Sequence, residues 1–154
     1  MPDPNDSAFE RTALAAALPR FVHRLEVRFQ DVDAAGIVFY ARFLDYFHDA
    51  YVAFLAQGGF PLPEVLRTRA WAAPLVHAAA DYMSPARFGD PLEVGLVRAR
   101  WDRGRLTLGH RVVRAGGGEV VAVGRTVHVW VEPERFQRIE PPAALRAWFE
   151  QLEG

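Results

Sequence analysis

The sequence predicts an α+β fold, an antiparallel sheet of about five strands wrapped around one long central helix. Three observations carry this. A single segment of helical period spans about residues 40–57, and it is apolar over about half its circumference. One alternating segment precedes it and four long ones follow. Hairpin signals, "DRG" at Asp102–Gly104 and "GGG" at Gly116–Gly118, join the later segments.

The elements follow in order. The opening stretch, "MPDPNDSAFERTALAAALPR", has acidic residues and no basic region ahead of its apolar part, so it is read as a short helix or tail and not as a signal peptide. Val22–Phe29, "VHRLEVRF", alternates as a strand, and Asp31–Gly36 is loop. In the long helix, Phe43, Phe47, Ala50 and Phe54 form one stripe flanked by Leu44, Tyr51 and Leu55, with Arg42, Asp45 and Asp49 opposite. Gly58-Gly59 stops it, Pro61 and Pro63 follow, and Pro63–Arg69 is read as a short helical turn. Trp71–Met83 is a strand that Pro74 interrupts, which marks an edge or a bulge. Leu92–Trp101, Leu106–Arg114 and Val120–Val131 are the remaining strands. In the last, Val121, Val123, Val127, Val129 and Val131 share one face, broken only by Arg125. "PPAALRAWFEQL" is a C-terminal helix with proline at its start. With no repeat and no linker, one domain is expected: an arm at 1–20, the sheet-and-helix domain at 21–133, and a terminal helix at 134–154 packed on it.

Composition narrows the function. The 154 residues are 51% hydrophobic and 24% charged, a globular balance. A net charge of -1 argues against a general binder of nucleic acid or anionic membrane. No apolar run reaches the roughly 18 residues a membrane span requires. There is no cysteine, which excludes disulfides, thiolate zinc sites and a cysteine nucleophile. His23, His48, His77, His110 and His128 are scattered without metal-ligand spacing, so no metal and no cofactor is expected. The expected location is the cytoplasm. A sheet of this kind leaves two open edges, and pairing them between copies predicts a homo-oligomer.

The chemistry concentrates at "VRFQDVDAAGIVFYARF", residues 27–43. Two carboxylates, Asp31 and Asp33, stand between a strand and an apolar segment. They suit a turn and a helix cap. They equally suit a catalytic carboxylate, because small residues follow and then a helix whose free N–H groups can hold an oxyanion.

"DVDAAGIVFYARFLDYFHDAY" resembles the signature of the 4-hydroxybenzoyl-CoA thioesterase group of hotdog-fold proteins, and "APLVHAAADYMSPARFGDPLEV" resembles the strand pair that follows the helix there. Together they look most like the 1,4-dihydroxy-2-naphthoyl-CoA thioesterase branch. The likeness covers about Phe21–Pro133. It implies a hotdog fold, hydrolysis of an aromatic acyl-CoA to acid and free CoA, and a dimer or tetramer with the active site at the subunit interface. By the same likeness, Asp33 is the carboxylate that attacks the thioester carbonyl or activates water, and Asp31 shapes the loop. Tyr40 offers its backbone N–H to the thioester oxygen, and Gly36 and Val38 line the substrate. His48 stands where the 4-hydroxybenzoyl enzymes carry an Asp that binds the ring hydroxyl, so it is a substrate-binding candidate; its competing reading is a packed core residue. His77, read as sharing a strand face with Leu75 and Ala79, is either a pocket residue or a buried structural one. His110 and His128 are read as sheet residues. Arg103 and Arg105, in "RARWDRGR", fall near a basic turn used for CoA phosphates, with a solvated turn as the competing reading. Two other functions fit the same pattern: a non-catalytic acyl or CoA-binding module, and a thioesterase for short or medium aliphatic acyl-CoA. A related dehydratase fits less well, since its paired His and Asp motif is not evident.

Overall fold

The computed structural model describes residues 6–153. The first five residues of the expected N-terminal arm lie outside the described residues. The elements are α1 (Arg11–Ala16), β1 (Phe21–Glu26), α2 (Arg42–Gln57), α3 (Leu62–Thr68), β2 (Leu75–Tyr82), β3 (Pro91–Asp102), β4 (Arg105–Arg114), β5 (Val120–Val129) and α4 (Ala143–Glu150). The five strands form one sheet in the order β1-β3-β4-β5-β2. All four pairings are antiparallel, so the α+β class and the sheet around a central helix hold as expected.

The inner face of the sheet closes on α2. Phe43, Tyr46, Phe47, Ala50, Phe54 and Leu55 point into it and are at most 4% exposed. Their partners include Leu92, Val94 and Leu96 of β3 and Leu106, Leu108 and Val112 of β4. Gly124 lets the helix come close: a Cβ there would stand 2.2 Å from the Phe47 ring. The outer face is covered in part by the chain before β1. Leu14 of α1 packs with Phe9, Val97 and Val123, and a Cβ at Gly109 would stand 2.6 Å from Leu14. Helix α4 closes one end, with Leu145 and Phe149 fully buried and Trp148 Nε1 donating to the Phe54 carbonyl at 2.8 Å.

Several boundaries differ from expectation, each for a local reason. β1 ends at Glu26 rather than Phe29, because Phe29–Asp31 closes a 3₁₀ turn in which the Asp31 amide donates to the Arg28 carbonyl at 3.0 Å. Helix α2 begins at Arg42 rather than Tyr40, since Tyr40 and Ala41 sit in a turn closed by Arg42 N–H to Phe39 O at 2.9 Å. Pro74 delays β2 to Leu75, and Ala72 keeps only an isolated bridge to Val131. The valine face of β5 is mainly the outer one, although Val121, at the register shift, joins the core cluster around α2. Val123 packs on the outer side with Leu14, while Ala122, Gly124, Thr126 and His128 take the inner side, cross-strand from Val112, His110, Leu108 and Leu106.

The β2 edge is left open, and beside it α2 and β2 expose an apolar strip. Leu75 is 50% exposed, Val76 51%, Tyr82 45% and Leu44 39%.

Candidate active site

Asp31 anchors the segment that carries the candidate carboxylate. Its side chain is fully buried. It accepts from Arg28 N at 3.1 Å, Arg28 Nε at 3.3 Å, Arg28 Nη2 at 3.2 Å and Tyr46 Oη at 2.9 Å. Its own carbonyl accepts from Phe39 N–H at 2.8 Å. Burial pushes this carboxyl up, but the hydrogen bonds from Arg28 and Tyr46 and the Arg28 charge outweigh it, so Asp31 is held below the usual carboxylate value. Burial first, and then the bond to Asp31, push the Tyr46 phenol well above its ordinary value.

From Asp31 the chain makes a tight loop. Asp33 N–H donates to Ile37 O and Gly36 N–H to Asp33 O, both at 2.9 Å. Gly36 has φ +78°, a left-handed conformation that glycine adopts without strain. Asp33 Oδ1 accepts from Ala35 N–H at 2.8 Å, which fixes the carboxylate and leaves its other oxygen free among the described residues. Val38 N–H donates to Ala86 O at 2.8 Å and ties the loop to the chain beyond β2.

Asp33 and Tyr40 open on one cleft of about 520 Å³, lined also by Ile37, Val38, Phe43, Tyr82 and Met83. The Tyr40 carbonyl accepts from Tyr82 Oη at 3.0 Å, which orients the backbone just before α2. The Tyr40 amide has no acceptor among the described residues. Asp33, with one carboxylate oxygen unpartnered, and Tyr40, with its amide unpartnered, both line this apolar cleft among the described residues; a carboxylate can supply an oxygen to a carbonyl or take a proton, and an amide can stabilise an oxyanion.

The other candidates lie elsewhere. Gly36 shapes the loop and does not line the cleft. His48 is exposed on α2 and lines a second, small cavity with Leu44, Tyr51 and Leu75. It is therefore not a packed core residue within one chain. His77 does not share a face with Leu75. A bulge at Val76 pairs Leu75 with His128 and His77 with Val127, so His77 turns to the outer face while Leu75 stays on the α2 side. Burial and the neighbouring Arg125 hold His77 below its ordinary value. Arg103 and Arg105 line a basin of about 320 Å³ with Arg100 and Arg138. That basin lies at the far end of β3 from the Asp33 loop, about 35 Å along the strand at its usual rise.

Three features escaped the sequence reading. Tyr46 follows Phe43 by three positions and so continues the helix stripe, which is a usable signal. Tyr82 offers none. The third is the inner-face pair His110 and His128, both buried. Burial, with each group's neighbouring histidine adding to it, pushes His110 down to about 3 and His128 to about 4, the Ala73 backbone opposing the shift of His128. Among the described residues, no group of three or more His, Cys, Asp or Glu is placed to hold a metal ion, and no helix is long and apolar enough to cross a membrane.

Comparison with known proteins identifies the family and the fold. The sequence matches the family model of the thioesterase-like superfamily over residues 27–149. A 1,4-dihydroxy-2-naphthoyl-CoA hydrolase of Synechococcus elongatus is 34% identical over 125 residues, covering 80% of this chain and 90% of that protein. The crystal structure of a 1,4-dihydroxy-2-naphthoyl-CoA thioesterase from Synechocystis superposes with a TM-score of 0.78 at 27% identity, covering 84% of this chain and 94% of that one. A gentisyl-coenzyme A thioesterase superposes with a TM-score of 0.73 at 30% identity, covering 83% and 98%. Sequence, sheet order and central helix thus agree, and the chain belongs to the thioesterase-like superfamily, with the hotdog fold.

Proposed function

We propose that this chain hydrolyses an aromatic acyl-CoA to the free acid and CoA, with Asp33 as the reacting carboxylate and the Tyr40 amide as the oxyanion donor. The observation that carries the reading is that both open on the same apolar cleft. Water's oxygen ends on the acyl carbon, the carbon–sulfur bond breaks, and sulfur leaves with its electron pair and is protonated to the thiol. Asp33 serves as nucleophile toward the carbonyl or as the base that deprotonates water; both routes have this balance. The aromatic preference is supported by the substrate names of the relatives above.

The proposed unit is a homodimer paired along β2. Its free edge and the exposed Leu75, Val76 and Tyr82 support this. An antiparallel pair with its two-fold axis at the middle of Leu75–Tyr82 sets Leu75 of one copy opposite Tyr82 of the other. The cavity beside His48 then borders the Asp33 cleft of the second copy. The Arg103 and Arg105 basin, a sheet's length from its own Asp33, would meet the phosphates of a CoA held by another copy, in the dimer or in a tetramer of two dimers. Residues 1–20 and 134–154 are proposed as extensions of a domain at 21–133, and the cytoplasm as the setting in which CoA thioesters are met.

The test is a panel of aromatic and aliphatic acyl-CoAs read by thiol release, where a chain without cysteine gives no protein background. Turnover of benzoyl-type or naphthoyl-type substrates above aliphatic ones is expected. Binding of acyl-CoA without turnover would instead identify a binding module.

A further inference from the structure

The turn that carries the Tyr40 amide is held at two points, one local and one remote. An amide N–H belongs to the same rigid peptide unit as the carbonyl of the residue before it, and in the trans form the two point in opposite directions. The Phe39 carbonyl accepts from Arg42 N–H at 2.9 Å. That bond fixes the unit whose other end is the Tyr40 N–H, and it turns this N–H away from α2. Behind it, Phe39 N–H donates to the Asp31 carbonyl at 2.8 Å.

The next peptide unit, between Tyr40 and Ala41, lacks a strong local tie. A regular α-helix would give Leu44 N–H to Tyr40 O, but here it goes to Ala41 O at 3.1 Å. Phe43 N–H reaches Tyr40 O only at 3.4 Å. The shorter bond to this carbonyl comes from Tyr82 Oη of β2, at 3.0 Å. Among the described residues, no other side chain hydrogen-bonds to the backbone of residues 39–41. With both flanking units pinned, the two backbone dihedral angles at Tyr40 are set.

The Tyr82 side chain is itself held in place. Its ring packs on Phe43 at 5.4 Å and 59°. Phe43 packs in turn on Tyr46 at 5.6 Å, the residue bonded to Asp31. Its backbone pairs with Ala122 of β5 at the end of β2. Burial first, and then the neighbouring Tyr40 and Asp81, push the Tyr82 phenol above its ordinary value, so it keeps the proton it donates.

We propose that Tyr82 is a positioning residue for thioester cleavage: its hydroxyl locks the Tyr40–Ala41 peptide unit and so keeps the Tyr40 N–H directed at the forming oxyanion. The proposal rests on the thioesterase reading and adds how the oxyanion donor is kept in place. The Tyr82 proton is engaged by the Tyr40 carbonyl, so it donates nothing to the substrate. Hydrogen bonds weaken steeply with misalignment, and most where the acceptor carries charge. A loosened N–H therefore costs little with the neutral carbonyl of bound substrate and much with the charged oxygen of the transition state. The loss belongs in kcat and not in KM.

The test is Tyr82→Phe, which keeps the ring on Phe43 and removes only the hydroxyl. Tyr40 is 63% exposed, so water can reach the carbonyl left behind. The melting temperature should fall by no more than about 5 °C. On a panel of acyl-CoAs kcat should drop about tenfold, part of the roughly 100- to 1,000-fold that loss of an oxyanion donor costs. KM should change by less than about twofold. The drop should be equal for every acyl group, because the thioester carbonyl is common to all. Tyr82→para-aminophenylalanine returns an N–H donor to the same place and should recover most of the rate. A rise in KM with kcat unchanged, or a loss that varies with the acyl group, would make Tyr82 a wall of the cleft and overturn the proposal. Loss of the fold, or a drop that the amino variant does not recover, overturns it as well. Wild-type turnover matched by Tyr82→Phe overturns the positioning role alone. Absence of turnover by the wild type on every acyl-CoA overturns the function and the positioning role together.

Discussion

Tyr46 Oη donates to Asp31 Oδ2 at 2.9 Å, a buried bond between residues fifteen apart. It joins the second turn of α2 to the start of the loop that carries Asp33. The pair of aspartates thus divides into a buried anchor, Asp31, and an exposed carboxylate, Asp33. Removing the Tyr46 hydroxyl leaves Asp31 with its Arg28 bonds, so Tyr46→Phe should cost about 1–2 kcal/mol. Asp31→Asn leaves the Arg28 guanidinium without its charge partner and should cost more. Urea denaturation checks both. Equal stability of Asp31→Asn and wild type would show that the buried carboxylate does not hold the loop.

Asp33→Asn keeps an oxygen for the Ala35 amide and removes the charge. Turnover on the best substrate should fall by about a hundredfold or more, the scale of losing a positioned base or nucleophile. Melting should change little, because the side chain is exposed and makes one local bond. Near wild-type turnover in this variant would remove Asp33 from the mechanism.

Acid should destabilise the fold through its buried histidines. In the folded chain His110 takes a proton only near about 3 and His128 near about 4. In the unfolded chain both do so near the ordinary value of about 6.5. Between these values the unfolded chain binds more protons, so stability rises with pH. Their contribution is therefore complete above about pH 6.5 and is lost as pH falls toward 4 and then 3, with a slope of up to about 1.4 kcal/mol per pH unit for each ring. The depressed carboxyl of Asp31 acts in the same direction, below its ordinary value of 3.8. Urea midpoints at pH 7, 6 and 5 should fall in that order. A flat profile would mean that the rings are hydrated in the native state.

The β2 edge offers a test of assembly. Val76 is the bulged residue, is 51% exposed and has no cross-strand partner among the described residues. Val76→Glu places like charges at the proposed seam between copies and costs little in the isolated chain. Light scattering should show a shift from dimer toward monomer, with turnover lost in proportion. A wild-type monomer that is fully active at micromolar concentration would show that the site is complete within one copy.

His48→Ala should alter KM and substrate preference more than kcat on a poor substrate, since His48 lies outside the Asp33 cleft and beside the small cavity. Equal loss of kcat on every acyl-CoA would place it in the bond-breaking step.

The local pattern of this sequence determined much on its own. Helical period between Phe43 and Leu55 located the central helix, alternation and the Asp102–Gly104 turn located the hairpin strands, and the order of elements settled the class. The Asp31–Tyr40 segment was legible as a candidate site because its chemistry is local: a carboxylate, a glycine turn and a helix start lie close together in sequence. What depended on distant chain was not legible. Alternation states which residues share a face, not which face meets the helix, so most of the valines of β5 gave no sign of pointing outward. A bulge shifts that phase by one residue, and only pairing with β5 placed one at Val76 and turned His77 away from the pocket. The Tyr46–Asp31 bond and the bond between His110 and Thr126 join residues on separate elements. Such contacts arise when sheet register and helix docking bring polar groups together out of water, and those are decided by the packing of the whole chain.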